Sequence, residues 1–318
     1  TNTPLTIQGA RTGLAAAAVP RGGHVLNMSR MNNVLGLRYN SLQDTFLLRV
    51  QPGLLLSQLN RMAAQCAFLT ERWDDASLSS LRYMQQNTWF FPPDPTEISA
   101  SIGGMAACNA SGAKTFLYGP TRDYIEGLRM VLIDGDVLDI HRGDVRADER
   151  SIQFTTLGGR KYKVKLPDYN TRNVKSAAGY YVRPGMDLID LIIGAEGTLG
   201  VMSEITIRLK RLPASACGIT VFMPSLQSTL DLVYALRGDR VCALPSFLHR
   251  PAAIEFFDRH SLDLLRDQQQ HNMAFSQIQP IAAHHHTALY VEFHADRKDE
   301  LWPVLSSLGE LITGLGGS

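Results

Sequence analysis

Two rhythms of apolar residues run along this chain. Short runs rich in branched and aromatic residues, bounded by turn residues, predict strands at Pro4–Ile7, Val25–Met28 and Thr45–Val50. Leu55, Leu56, Leu59, Met62 and Ala63 recur instead at the spacing of one helix face, just after the turn Gln51-Pro52-Gly53. The first strand runs into Gln8-Gly9-Ala10-Arg11-Thr12-Gly13, so it should end in a tight loop. Leu128–Ile133 and Val137–Ile140 flank Asp134-Gly135-Asp136, a strong hairpin signal. A charged insert with Gly158-Gly159 spans 141–173, a short helix follows from Met186 to Ile193, and Ile205–Leu209 alternates as a strand stopped by Pro213.

Past Pro213 the texture changes. Strands are expected at Thr220–Met223, Ala253–Phe257 and Ala288–Phe293. They alternate with helices at 225–237, with Ser225 as N-cap, 260–270 and 300–313, where Pro303 falls in the first turn. This alternation predicts a layered α/β lobe, with a domain boundary between Pro213 and Cys217 that separates residues 1–213 from 214–318.

With 318 residues, the chain is long enough for two cores. It is 45% hydrophobic, 19% charged and carries a formal net charge of +1, and its Lys and Arg form no blocks, which argues against a nucleic-acid partner. Cys66, Cys108, Cys217 and Cys242 form no Cys-x-x-Cys pair, which points to a reduced, intracellular chain without a zinc or iron-sulfur centre. No apolar run approaches the roughly 20 residues that span a bilayer.

Small residues cluster in three runs: Gln8 to Leu14, Ser101 to Gly112 and Gly194 to Gly200. Glycine lets a backbone approach a ligand closely, because it has no Cβ. Each run alone reads as a plain turn. Together they suggest one extended, flat or phosphate-bearing ligand.

The residues also match a family in order. Gly9-Ala10-Arg11-Thr12-Gly13-Leu14 with Ala18-Val19-Pro20, Ser29-Arg30-Met31-Asn32, Val50-Gln51-Pro52-Gly53 and Pro92-Pro93-Asp94-Pro95 come first. Ile102-Gly103-Gly104, Asn109-Ala110-Ser111-Gly112, Tyr118-Gly119, Asp134-Gly135 and Gly194-Ala195-Glu196-Gly197-Thr198-Leu199-Gly200 follow. Over residues 4 to 213 the chain resembles the FAD-linked oxidases of vanillyl-alcohol-oxidase (PCMH) type, and within them the flavoprotein subunits of D-lactate dehydrogenase and glycolate oxidase.

That resemblance implies an α+β fold: a two-subdomain PCMH-type FAD-binding lobe followed by a partial ferredoxin-like α/β cap lobe. It assigns Gly9, Ala10, Arg11, Thr12 and Gly13 to the FAD pyrophosphate, where backbone N–H groups do the binding. Pro93, Asp94, Ser101, Gly103, Gly104, Ala107, Asn109 and Gly112 would line the flavin, and Glu196, Gly197, Gly200 and Val201 would meet the other side of the cofactor. Ala10, Arg11, Ala16 and Ala17 depart from the family's glycine-rich loop. Arg11 reads equally as a cation at the pyrophosphate and as a solvent-facing side chain. No His occurs in the first loop or in Ile102-Gly103-Gly104, so the FAD is expected to be non-covalent. Lys175 with Gly179-Tyr180 also resembles a segment near the flavin, and reads equally as an exposed loop.

By the same resemblance the reaction is oxidation of a small-molecule D-2-hydroxy acid such as lactate or glycolate, by hydride transfer to flavin N5. Electrons would then leave to a protein or quinone acceptor, since no haem, iron-sulfur or nicotinamide signature is present. A partner subunit or oligomer, and a cytoplasmic place at or near the inner face of a membrane, complete the expectation. The family's carboxylate-binding Arg and metal-ligand His residues align with nothing here. The resemblance places them after residue 318, and a first strand and helix before residue 1. Catalytic residues are therefore unassigned, and no metal site is assigned. His284-His285-His286 reads as a solvated loop rather than a ligand set, because consecutive residues on extended chain point to opposite faces. His294, at the end of a strand, is a better candidate for a cleft. Glu255 to Arg259 belongs to the cap sheet and its turn. The competing readings are a non-catalytic FAD-binding subunit and a flavin reductase related to the cell-wall precursor enzyme.

Overall fold

A computed structural model describes residues 3–172, 174, 178–238 and 249–318; Lys175 and Cys242 lie outside these. The elements begin with β1 (Leu5–Gln8), β2 (His24–Asn27), β3 (Val34–Asn40), β4 (Thr45–Val50), α1 (Leu56–Gln65), α2 (Asp75–Met84), β5 (Trp89–Phe90) and α3 (Ile102–Cys108). Then come α4 (Thr115–Tyr118), β6 (Ile125–Val131), β7 (Val137–His141), β8 (Ser151–Thr155), β9 (Lys161–Lys165), α5 (Leu188–Ile192), β10 (Val201–Arg208) and β11 (Lys210–Arg211). The last are β12 (Ser215–Met223), α6 (Leu226–Arg237), β13 (Ala253–Phe257), α7 (Arg259–His271), β14 (Thr287–Ala295) and α8 (Leu301–Gly314). Two compact units result: residues 1–112 with 119–212, and residues 113–118 with 213–318. The short excursion of 113–118 into the second unit has no counterpart in the hydrophobic pattern.

The first unit is built on an antiparallel sheet in the order β3-β4-β10-β6-β7. Its inward positions, among them Leu37, Phe46, Leu48, Val50, Leu128, Ile205 and Ile207, are almost wholly buried. Each contributes about 1.5–3 kcal/mol on leaving water. The β6-β7 hairpin turns at Asp134-Gly135-Asp136, where Gly135 has φ +86°, a conformation that costs glycine little. Edge strand β3 is covered by α2: the Ser77 and Ser80 hydroxyls accept the Leu37 and Tyr39 N–H groups at 3.1 and 3.2 Å. Those same serines hide α2 from a reading of apolar periodicity, because core-facing positions of the helix are polar. β1 and β2 form a separate parallel pair, and β8 with β9 a hairpin within the charged insert.

In the second unit the strand order is β12-β14-β13, with β14 antiparallel to both neighbours. The outer strands are therefore parallel to each other, the arrangement of a split βαβ unit in a ferredoxin-like fold. α6 and α8 cover one face, over a core that includes Val221, Met223, Leu232, Leu289, Val291, Phe293, Val304 and Leu308. Ser225 caps α6 by accepting the Ser228 N–H at 3.1 Å. Ser318 exchanges two backbone hydrogen bonds with Phe222, at 2.8 and 2.9 Å.

Candidate cofactor site

Ser101 ties the first two small-residue runs together. Its hydroxyl caps α3 by accepting the Gly104 N–H at 3.3 Å, and it also accepts the Ala10 N–H at 3.2 Å. A Cβ on Gly9 would lie 2.2 Å from this oxygen, so only glycine allows the approach. The far end of α3 holds the third run: Gly194 N–H donates to Ala106 O at 3.0 Å and Glu196 N–H to Ala107 O at 2.9 Å. Asn109 closes the helix in the left-handed region, at φ 47°, and its side chain accepts the Arg122 N–H at 2.9 Å. The three runs, far apart in sequence, thus meet around one seven-residue helix.

Where each glycine points divides the runs. A Cβ on Gly103 would meet the Pro52 Cβ at 2.4 Å, one on Gly112 the Asp94 carbonyl O at 1.5 Å, and one on Gly200 the Met130 Cε at 2.5 Å. At these positions, and at Gly9, it is the protein's own packing that demands glycine, at Gly200 through the Val131 carbonyl O, 2.6 Å from such a Cβ, and a φ of +153° rather than through the movable Met130 end. Gly13 has nothing within 4 Å, and Gly104 has only its capping Ser101 oxygen at 3.0 Å. These two leave open space. Gly197, at φ +78°, lies against Ile7 of β1, Val201 pairs with Val131, and Pro93 is buried beside half-buried Asp94.

The departures from glycine in the first loop are accommodated by strain. Arg11 and Ala16 take φ 63° and 59°, each at a cost of about 1 kcal/mol. Val19 N–H to Ala16 O at 2.9 Å and the Gln8 side-chain amide to Ala18 O at 2.8 Å close the loop. Among the described residues, the N–H groups of Arg11, Thr12 and Gly13 donate to no protein acceptor. Successive N–H groups around a left-handed residue make an anion-binding concavity. The Arg11 side chain is exposed.

Arg122 was not singled out by the sequence reading, although it lies just beyond the Tyr118-Gly119 motif. Its guanidinium stacks 4.2 Å above the Tyr181 ring, donates to the Asp190 and Ile193 carbonyls, and pairs with the Asp190 carboxylate at 3.3 Å. Burial pulls its pKa down against the pull of Asp190. It thereby pins the chain that enters the Gly194 turn, where φ is +88°. Tyr180, in the segment that also resembles the family, hydrogen-bonds Thr198 Oγ1 at 2.8 Å, and Thr198 in turn donates to Ala195 O at 2.6 Å. Asn109, Arg122, Tyr180, Tyr181 and Gly194 line a hollow beside the third run.

In the second unit, His285 stacks on Phe222 with ring centroids 4.7 Å apart, and burial, then His284 and Arg266, lower its pKa. His294 lies among hydrogen-bonding side chains on the sheet face away from α6 and α8. No helix among the described residues is long and apolar enough to cross a membrane.

Residues 1–81 and 79–141 match the model of the FAD binding domain family. Over 260 residues the chain is 31% identical to a D-lactate dehydrogenase of Anaerostipes hadrus, covering 80% of this chain and 40% of that protein. It is 29% identical over 235 residues to a D-2-hydroxyglutarate dehydrogenase of Stutzerimonas stutzeri, covering 73% and 38%. The chain thus spans about two fifths of the length of these curated relatives. An alkyldihydroxyacetonephosphate synthase structure superposes with a TM-score of 0.62 at 16% identity, over 99% of this chain and 46% of that one, which establishes a shared fold. With residues 1–141 inside the FAD binding domain model, and an FAD-linked oxidoreductase of Mycobacterium tuberculosis 28% identical over 320 residues, the chain carries a PCMH-type FAD-binding domain, with FAD as its cofactor.

Proposed function

We propose that this chain forms the cofactor lobe and part of the cap of a dehydrogenase that oxidises a D-2-hydroxy acid of lactate or glycolate type. The observation that carries the reading is the meeting of the three small-residue runs around α3. The D-2-hydroxy acids named for the relatives give the substrate class. Residues 1–213 hold FAD and residues 214–318 contribute to the substrate side.

In this reading the Gly9-Ala10-Arg11-Thr12-Gly13 loop offers its unsatisfied N–H groups to the pyrophosphate. The open face at Gly104, flanked by Pro93, Asp94, Ser101, Gly103, Ala107, Asn109 and Gly112, takes the flavin ring. Glu196, Gly197, Gly200 and Val201 close the opposite side. When bound, FAD supplies the acceptor for the electron pair of the substrate C–H bond. The chain's own contribution is a pre-shaped cradle. With no His in the first loop or at the start of α3, the FAD is held without a covalent bond. Electrons would then leave to a protein or quinone acceptor, on the cytoplasmic side or at the inner face of a membrane.

The test is anaerobic mixing of FAD-loaded, full-length protein with D- and L-2-hydroxy acids while flavin absorbance is followed. Bleaching by D enantiomers is expected. Stable bound flavin that no 2-hydroxy acid bleaches would contradict the dehydrogenase reading and favour a non-catalytic FAD-binding subunit.

A further inference from the structure

The β8-β9 hairpin of the first unit sorts its side chains by face. Ile152, Phe154, Tyr162 and Val164 share one face, where Ile152 is 1% exposed and the Phe154 and Tyr162 rings stack with centroids 5.1 Å apart. Gln153, Thr155, Lys161, Lys163 and Lys165 alternate with them on the other face, and all five are exposed. Residues 151–165 carry Arg160 and these three lysines but no acid. In the sequence Tyr162 and Val164 interrupt the basic run; the pleat closes it into a row, with neighbouring lysines about 7 Å apart. Lys161, paired with Thr155, stands next to the turn. The exposed acids Asp148, Glu149 and Asp168 lie at the far end of the hairpin, beyond Ser151 and Lys165.

Two aliphatic side chains stand in water at the turn end. Leu157, in the β8-β9 turn, is 64% exposed, and Ile133, in the β6-β7 turn, is fully exposed. The two turns are bound to each other. Leu157 N–H donates to Val137 O at 2.8 Å, and Gly158 N–H and Thr156 Oγ1 donate to the Asp136 carboxylate at 3.1 and 2.5 Å. The Tyr162 hydroxyl and the Arg160 guanidinium both donate to Asp134. Asp134 and Asp136 are thus committed to Arg160, Tyr162, Thr156 and Gly158, and the hairpin supplies no acid to offset its lysines. Lysines on an edge strand also guard against pairing with another chain, but that role does not call for aliphatic side chains at the tip.

We propose that this joined pair of turns is a membrane-docking surface: Ile133 and Leu157 enter the acyl boundary of an anionic bilayer, and the lysine row behind them meets its headgroups. The proposal rests on the membrane placing in the function above and needs nothing from the oxidation itself. An aliphatic tip backed by cations is the pairing that an anionic lipid surface rewards. Single-stranded nucleic acid would need aromatic rings on the basic face, whereas Phe154 and Tyr162 lie on the opposite one, stacked on each other. Lys165 stands about 14 Å along the strand from Lys161, beyond the roughly 8 Å over which charges act at physiological salt. The lysines should therefore contribute in the order Lys161, Lys163, Lys165. Docking needs little new ordering, because the two turns are already tied together.

The test is sedimentation of full-length protein with vesicles of phosphatidylcholine alone and of phosphatidylcholine mixed with phosphatidylglycerol. Binding to the anionic vesicles only, weakened by salt, is expected. Lys161→Gln should weaken it about fivefold and Lys165→Gln less. Ile133→Ser combined with Leu157→Ser should weaken it at least about tenfold. All of these variants should keep the wild-type Tm, because the side chains are exposed. Lys298→Gln, which removes an exposed charge from the second unit, should bind like the wild type. Wild-type protein that ignores anionic vesicles, binding that survives the hairpin substitutions, or equal losses in Lys298→Gln and Lys161→Gln would overturn the proposal. So would capture by soluble polyglutamate with none by vesicles. Sedimentation is read whether or not a 2-hydroxy acid bleaches the flavin, so failure of the docking surface leaves the oxidation standing, and failure of the bleaching leaves the docking surface.

Discussion

Replacing the adjacent glycines of α3 one at a time separates the protein's own packing from clearance for the cofactor. An alanine at Gly103 would set its Cβ 2.4 Å from the Pro52 Cβ and 2.9 Å from the Pro52 carbonyl O. Carbon atoms pack best at roughly 3.5–4.0 Å, so α3 and the Gln51-Pro52-Gly53 turn must part by about 1 Å. Overpacking of that kind costs about 1–3 kcal/mol, offset by about 1 kcal/mol of helix propensity. A net loss of about 1 kcal/mol should lower Tm by roughly 2–4 °C in a domain of this size. At Gly104 the only neighbour is the Ser101 oxygen at 3.0 Å, which can give by a few tenths of an ångström. Gly104→Ala should therefore leave the stability of FAD-free protein unchanged. Its methyl group enters the space assigned to the flavin, so FAD affinity should fall at least tenfold, about 1.4 kcal/mol. Thermal unfolding without FAD and a fluorescence titration with FAD read the two effects. If Gly104→Ala binds FAD like the wild type, or if both variants lose stability equally, the assignment of the open face is wrong.

Two further substitutions test the supports. Arg122→Ala leaves the Asp190 and Ile193 carbonyls without their buried donor, while Asp190 keeps Arg142 at 3.1 Å. Stability should fall by about 2–4 kcal/mol, and Arg122→Lys should restore less than half because an ammonium cannot span the three acceptors; an unchanged denaturant midpoint would refute this. Burial would raise the Glu292 pKa, but hydrogen bonds from His294 and Tyr290 and the Lys114 charge outweigh it, so the folded pKa lies below its ordinary 4.5. Its contribution is therefore present above about pH 4.5 and is lost as pH falls through the lower folded value. Glu292→Gln should flatten the stability profile across that acid window, and a variant as acid-sensitive as the wild type would contradict it.

Much of the second unit was legible because its elements obey simple periods. β13 was expected at Ala253–Phe257 and occupies those residues, and α6 starts after Ser225 as its capping signal indicates. Elements whose buried faces are polar or small were harder to read. α2 turns Ser77 and Ser80 inward to bond an edge strand, and α3 begins with two glycines that look like a loop, yet Ser101 marks its start. The small-residue runs were visible as runs, but sequence cannot say which glycines face protein and which face open space. Gly103 and Gly104, neighbours in the chain, differ in that respect. Arg122 and the hydrogen bond between Tyr118 and His294 went unread because their meaning lies in contacts 68 and 176 residues apart along the chain.

The central claim is that the three runs form a single FAD cradle. Amide hydrogen exchange of full-length protein, with and without FAD, tests it at the level of each run. Protection should rise together at residues 9–13, 101–112 and 194–201. Protection confined to one run, or spread evenly over the chain, would contradict the account.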